Sequence, residues 1–294
     1  MPYHLLMPLM ASILFVLGLL LLKRATTAGI SPWTVTFVAN QWAGLIFSAL
    51  WFLGGNTPTL QQLWQPAVIA LLYIGGQVGT FVAITHGDVS IAAPMFGVKV
   101  IMVAVLLTII GGVSLPLAIW IAAGLATAGI ALVQWTGTGL GKNRLLGFTI
   151  AAAMAASTCF SFFDVLVQRW SPEFGVGRLV PIMFWFVAVF SIGFAPWIQR
   201  QKLRDPQLRK AVLGGGLLIA MQAFCIVFTI SNFGDAAAVN VVYSMRGIWG
   251  VSLAWLIARR FGGAEADLGR SKMLTRLAGA TLITIAVVLA VLSR

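Results

Sequence analysis

Long apolar runs alternate with short polar breaks along this chain, at a spacing that matches the thickness of a bilayer. A membrane-crossing helix needs about 20 mostly apolar residues. Ten segments fit: Leu5 to Leu22, Trp33 to Leu53, Pro66 to Thr85, Ile91 to Ile110, Leu115 to Trp135, Leu146 to Val167, Leu179 to Ile198, Ala211 to Phe233, Ala237 to Ala258 and Leu277 to Leu292. A Gly-rich polar break, Thr136 to Asn143, divides them five and five. The pattern predicts an all-α membrane protein of ten transmembrane helices, built from residues 1–140 and 141–294. The first run ends in Lys23-Arg24 and lacks a basic leader and a small-residue cleavage site, so it reads as a retained helix and not as a signal peptide.

Composition supports this picture. The chain is 60% hydrophobic and 9% charged, against about 25% charged in soluble domains. The net charge of +12 does not point to nucleic acid, because the bases lie in short clusters between apolar runs and so face lipid headgroups and cytoplasm. Fourteen of the 19 Lys and Arg follow odd-numbered runs: Lys23, Arg24, Lys142, Arg144, Arg200, Lys202, Arg204, Arg209, Lys210, Arg259, Arg260, Arg270, Lys272 and Arg276. Only Arg169, Arg178 and Arg294 lie on the other side. The positive-inside rule then places both termini outside the cytoplasm, in a bacterial-type cytoplasmic membrane. With five spans per half, the second half enters from the opposite face, so the halves are expected to be inverted repeats.

One stretch occurs twice. Gly87-Asp88 is followed by small and apolar residues and then by Lys99; Gly234-Asp235 is followed in the same way by Arg246. The copies are 147 residues apart, half of the 294-residue chain. Lys99 falls roughly 12 Å and Arg246 roughly 13–14 Å into spans 4 and 9 at helical rise, close to the half-thickness of about 15 Å. Both bases are therefore expected near the membrane centre.

These paired segments, with the Gly/Ala-rich fifth span Ala122–Leu132 and its echo Leu277–Ile283, resemble the drug/metabolite transporter superfamily, in particular its EamA-type ten-helix carriers. The resemblance covers essentially the whole chain. It implies a central cavity lined by spans 1 to 4 and 6 to 9, with spans 5 and 10 at the periphery. The acidic residue common after spans 4 and 9 is missing here, where Gly111-Gly112-Val113-Ser114 and Arg259-Arg260 stand. The buried bases are also similar to those of relatives that carry anionic substrates, whose ninth span holds a base.

Polar residues inside spans are the candidate site. A base at the bilayer centre costs roughly 2.5–3.5 kcal/mol on insertion scales, and only one acid, Asp164, lies within a span. This favours substrate-facing bases over a structural ion pair: Arg246 for bidentate and Lys99 for point-charge contact with a carboxylate, phosphate or phosphonate. Asn40, Gln41, Trp42, Gln77, Gln222, Asn240, Tyr243 and Trp249 are further substrate-binding candidates, with interhelical hydrogen bonding and packing as the alternative. Gln77 and Gln222 form a possible symmetric pair, and Tyr243 shares a face with Arg246. Asp164, placed near the outer end of span 6, reads as an interfacial residue bonded to Gln168 or Ser161, or as a gate or proton site. His86 reads as interfacial or titrating. Asp88 and Asp235, at helix starts, read as N-terminal caps. Gly75 with Gly79, and Gly124 with Ala128, have the spacing of close helix packing.

No nucleophile motif, phosphate loop, histidine cluster or carboxylate pair occurs, so neither enzymatic activity nor a metal or other cofactor is expected. Cys159 and Cys225 lie in apolar runs and read as free thiols. The expectation is a secondary transporter, an exporter or facilitator of a small metabolite, anionic or amphiphilic, working by alternating access in the lipid bilayer. The alternatives are a flippase for a phosphate-bearing lipid and, further off, a membrane scaffold or enzyme. Oligomeric state is left open, a monomer included.

Overall fold

A computed structural model describes residues 3–86, 92, 95–134, 146–250, 252 and 270–293. Among these residues ten α-helices follow in order: α1 Leu6–Thr27, α2 Pro32–Ser48, α3 Trp64–Thr85, α4 Lys99–Ile109, α5 Leu117–Val133, α6 Leu146–Phe174, α7 Val176–Phe190, α8 Pro206–Phe233, α9 Ala236–Tyr243 and α10 Arg270–Leu292. Their limits follow local chemistry. Ser31 and Asp205 accept hydrogen bonds from Trp33 N and Gln207 N, and Pro32 and Pro206 open the helices behind them, where a missing N–H does no harm. Gly234 ends α8 at φ 65°, a left-handed conformation natural to glycine.

Each segment expected to span holds a helix, but the lengths differ. Seven helical stretches among the described residues are long and apolar enough to cross a membrane: Tyr3–Thr27, Pro32–Leu53, Leu60–Thr85, Leu146–Phe174, Val176–Trp197, Pro206–Phe233 and Leu274–Leu292. The expected spans 4, 5 and 9 are shorter. Phe96–Ile109 and Leu117–Val133 are apolar helices below full spanning length. α9 stops at Tyr243, because Ser244 and Met245 form a turn closed by Met245 N→Val242 O (3.2 Å) and Gly247 N→Ser244 O (3.0 Å). The start of the expected span 4, the break Thr136 to Asn143, Asp88 and Arg259-Arg260 lie outside the described residues.

α1 lies along α8, α3 along α6 and α5 along α10, while α2 and α7 meet each other and pack on α8 and α3 respectively. Matching α1–α5 to α6–α10 turns most of these contacts into equivalent pairs. α1 on α8 matches α6 on α3, α2 on α8 matches α7 on α3, α4 on α6 matches α9 on α1, and α4 on α5 matches α9 on α10. Contacts of α6 with α7 and α8 have no counterpart of similar extent among the described residues. The core between the halves is aromatic: Phe47 stacks on Phe184 with centroids 3.7 Å apart, and Tyr73 packs against Phe163 and Phe184.

Hydrogen bonds tie the connections at each end. At one end Ser31 N donates to Gln199 Oε1 (2.8 Å), and Lys202 Nζ donates to Gly29 O (2.7 Å). At the other, Asn56 N donates to Phe174 O (2.8 Å), and Arg178 donates to Trp51 O (2.7 Å) with its guanidinium 4.0 Å from that indole. The first set joins the α1–α2 and α7–α8 connections; the second joins α2–α3 and α6–α7.

Small residues set the closest approaches. Gly79 faces Ala156, and Gly75 faces Cys159 Sγ, as α3 meets α6. Gly124 and Ala128, by contrast, lie on the exposed face of α5, with nothing near Gly124. The tight crossing of α5 and α10 is one turn away, at Gly129 and Gly279, where a Cβ on Gly279 would sit 2.7 Å from Gly129 O and 2.7 Å from Val133 N. Both obstacles are backbone, so relief requires the helices to separate. Gly279→Val should therefore lower thermal stability in detergent, by an amount equivalent to roughly 1–3 kcal/mol, while Gly124→Ala should leave the unfolding midpoint unchanged. A Gly279→Val protein as stable as wild type would contradict this crossing.

Candidate functional site

In both halves the base of the repeated stretch follows a short turn. A 3-10 turn, Phe96–Val98, precedes Lys99, which opens α4. The turn at Ser244-Met245 precedes Arg246, after which residues 246–250 are helical again. Thr127 donates to Gly97 O (3.3 Å), anchoring the first turn on α5. Ser244 Oγ donates to Val241 O (2.6 Å) within the second. Each base is thus presented just after an interruption in its helix, and α4 and α9 pack together.

The two bases have different surroundings. Lys99 Nζ lies 2.8 Å from Asp164 Oδ2, in an ion pair whose acid is 1% exposed and whose base is 18% exposed. Asn240 Nδ2 donates to the same carboxylate oxygen (2.7 Å) and to Ala236 O (2.9 Å). Three helices, α4, α6 and α9, therefore meet at one carboxylate. Arg246 faces rings: its guanidinium carbon lies 4.5 Å from the Tyr243 ring centroid and 5.0 Å from that of Phe15 on α1. Its Nη1 donates to the Tyr243 hydroxyl (3.2 Å). Among the described residues no carboxylate lies within ion-pair distance of Arg246. The contact of α4 on α6 is the counterpart of α9 on α1. The first contact holds an acid beside the base, and the second holds Phe15.

Asp164 thus departs from its expected place. The sequence puts it near the outer end of span 6, beside Gln168 or Ser161. In the structure α6 runs on to Phe174, which leaves Asp164 buried within the helix. The polar run Gln168-Arg169-Trp170-Ser171-Pro172 looks like a helix end, but Pro172 sits in the last turn and Gly175 makes the stop at φ 79°. Ser161 instead donates to Ser157 O (2.7 Å) and Lys99 O (3.4 Å), and Gln168 Oε1 accepts from Ala236 N (2.8 Å). Lys99, expected as a substrate-facing base, takes the structural pairing that the sequence disfavours.

A second polar cluster lies between α2, α3 and the end of α7. Asn40 and Gln77 exchange amide hydrogen bonds (2.9 and 2.8 Å), and Asn40 Nδ2 also donates to Ser191 Oγ (2.7 Å). Gln222 makes no such pair, and no side-chain hydrogen bond joins it among the described residues. Gln41 is exposed and donates to Ala188 O (3.0 Å). Trp249 Nε1 donates to Ser12 Oγ (3.0 Å) on α1, while the buried Trp42 Nε1 has no partner among the described residues. His86 is exposed at the end of α3, with Nδ1 2.8 Å from Thr85 Oγ1. Asp235 caps α9 by accepting from Ala238 N (3.4 Å), and its carboxylate lies 3.6 Å from His4 Nε2. Phe15, Ser12 and Ser191 gave little signal: Phe15 is one apolar residue among many in its run, and only the lone hydroxyls of the serines stand out.

The buried pair makes a stability prediction. Removing one partner of a buried ion pair leaves an uncompensated charge. Asp164→Ala should cost about 3 kcal/mol, and Lys99→Met combined with Asp164→Leu should recover most of that loss. Equal losses in the single and double variants, followed by thermal unfolding, would rule out a compensated pair.

Known proteins share this architecture. Twenty-eight solved chains match it. One, described only as the crystal structure of a protein, superposes with a TM-score of 0.71 at 17% identity, covering 99% of this chain and 98% of that one. At that identity the likeness speaks for the fold. No curated protein matches. The model of the EamA-like transporter family matches residues 2–135. Over that stretch this chain, with its apolar membrane-length helices, is similar to the EamA-like transporter family, part of the drug/metabolite transporter superfamily.

Proposed function

We propose that the protein is a secondary carrier, an exporter or facilitator, that moves a small anionic or amphiphilic metabolite across the cytoplasmic membrane by alternating access. The observation that carries this reading is Arg246. It is held within a helical bundle against Phe15 and Tyr243, with no carboxylate beside it among the described residues. A guanidinium only half-open to water and set against rings is costly unless it is compensated, and a substrate anion supplies the compensation. Arg246, with Tyr243 beside it, forms the centre of the proposed site. Trp42, with a free indole N–H, and the amides of Asn40 and Gln77 are its proposed polar surroundings.

Alternating access needs two related states. The equivalent packing of α1–α5 and α6–α10 supports residues 1–140 and 141–294 as inverted five-helix repeats. The hydrogen-bonded ties at the two ends support a matched pair of closures, each joining equivalent connections on opposite sides. The excess of bases after odd-numbered spans supports termini outside the cytoplasm.

Two experiments test this. In proteoliposomes loaded with small carboxylates and phosphate monoesters, wild type should support counterflow of at least one, and Arg246→Ala should reduce it about tenfold or more, the worth of a charge-assisted hydrogen bond. Undiminished counterflow in Arg246→Ala would overturn the site. In intact cells, a thiol introduced by Pro206→Cys should resist a membrane-impermeant maleimide added outside; ready labelling would reverse the topology.

A further inference from the structure

We infer that Asp164 is a specificity-determining residue that sets the substrate's charge: by neutralising Lys99 it leaves Arg246 as the uncompensated positive charge of the site among the described residues, and so selects a monoanion over a dianion. This deepens the anion-site reading and rests on it. The observations are the asymmetry between the halves. Lys99 and Arg246 occupy the same place in the repeated stretch, each after an interrupted turn, on helices that pack together. Lys99 Nζ touches Asp164 Oδ2 at 2.8 Å, whereas Arg246 meets only Phe15 and the Tyr243 ring and hydroxyl among the described residues.

The charged groups are linked through α9 and the turn that follows it. Asn240 and Tyr243 lie three residues apart on α9, and Arg246 reaches back to Tyr243 across the turn. Asn240 donates to Asp164, and Arg246 donates to Tyr243. Within such a low-dielectric region each charge is felt strongly, so an incoming anion meets the sum of the three. A carboxylate monoanion balances that sum. A phosphate monoester dianion leaves one negative charge uncompensated beside Asp164. Without the Asp164 charge, Lys99 and Arg246 together would balance the dianion.

The test uses anions of similar body and different charge. Purified full-length protein in detergent is titrated with benzoate, with phenyl phosphate at a pH where it is a dianion, and with benzamide as the neutral isostere, and binding is read from ligand-dependent thermal shifts. Wild type should favour benzoate over both others. Asp164→Asn should shift the benzoate to phenyl phosphate preference by about tenfold toward the dianion, as one additional charge-assisted hydrogen bond from the freed Lys99 would produce. Lys99→Gln combined with Asp164→Asn removes both charges and restores the sum, so it should keep the wild-type preference; it also serves if Asp164→Asn does not fold. A folded Asp164→Asn with the wild-type ratio, or a double variant that prefers the dianion, would overturn the inference. Wild type that does not distinguish benzoate from benzamide, with Arg246→Gln behaving identically, would overturn the anion-site reading itself.

Discussion

The buried contact between Lys99 and Asp164 is the constraint around which the other features arrange themselves. A carboxylate almost fully removed from water is tolerable only with a counter-charge and hydrogen bonds to its oxygens. Here the lysine comes from α4, the added donor from Asn240 on α9, and the acid from α6. Three helices are thereby fixed at one point by chemistry, where apolar packing alone would let them slide. Close small-residue crossings, such as Gly129 against Gly279, complete the positioning on the periphery.

The same contact gives the site its character. Two equivalent halves would be expected to treat their central bases alike. They do not, because α6 carries an acid where α1 presents Phe15. One base is committed to structure and the other stays on aromatic faces, where cation–π attraction offsets part of its desolvation without neutralising it. In the carrier proposed above, equivalent packing of the two halves would supply two related conformations, and the odd charge would supply selectivity.

Much of this was legible in the sequence, for identifiable reasons. Apolar runs of bilayer length located helices in all ten expected segments, because nothing else in lipid satisfies the backbone. The recurrence of Gly-Asp and a base at half-length pointed to α4 and α9, which pack together. Three features escaped. The interruption at Ser244-Met245 falls within an unbroken apolar pattern, so hydropathy passes over it. The extension of α6 to Phe174 was hidden by polar residues and Pro172, which read as a loop. The pairing of Lys99 with Asp164 depends on that extension, since an acid at a helix end cannot be matched to a base at mid-depth. Lone candidates fared according to their neighbours: Asn40 and Gln77 found each other across helices, whereas the supposed twin Gln222 did not.

The central claim is that Arg246 is the charge left for substrate while Lys99 remains committed to Asp164. The most direct measurement is an experimental structure of the protein soaked with 4-iodobenzoate, with the iodine located by its anomalous signal. The expected result is the carboxylate on the Arg246 guanidinium, near Phe15 and Tyr243, with the Lys99–Asp164 contact intact. Iodobenzoate bound elsewhere with Arg246 turned onto Asp164, or bound to a Lys99 released from its acid, would contradict it.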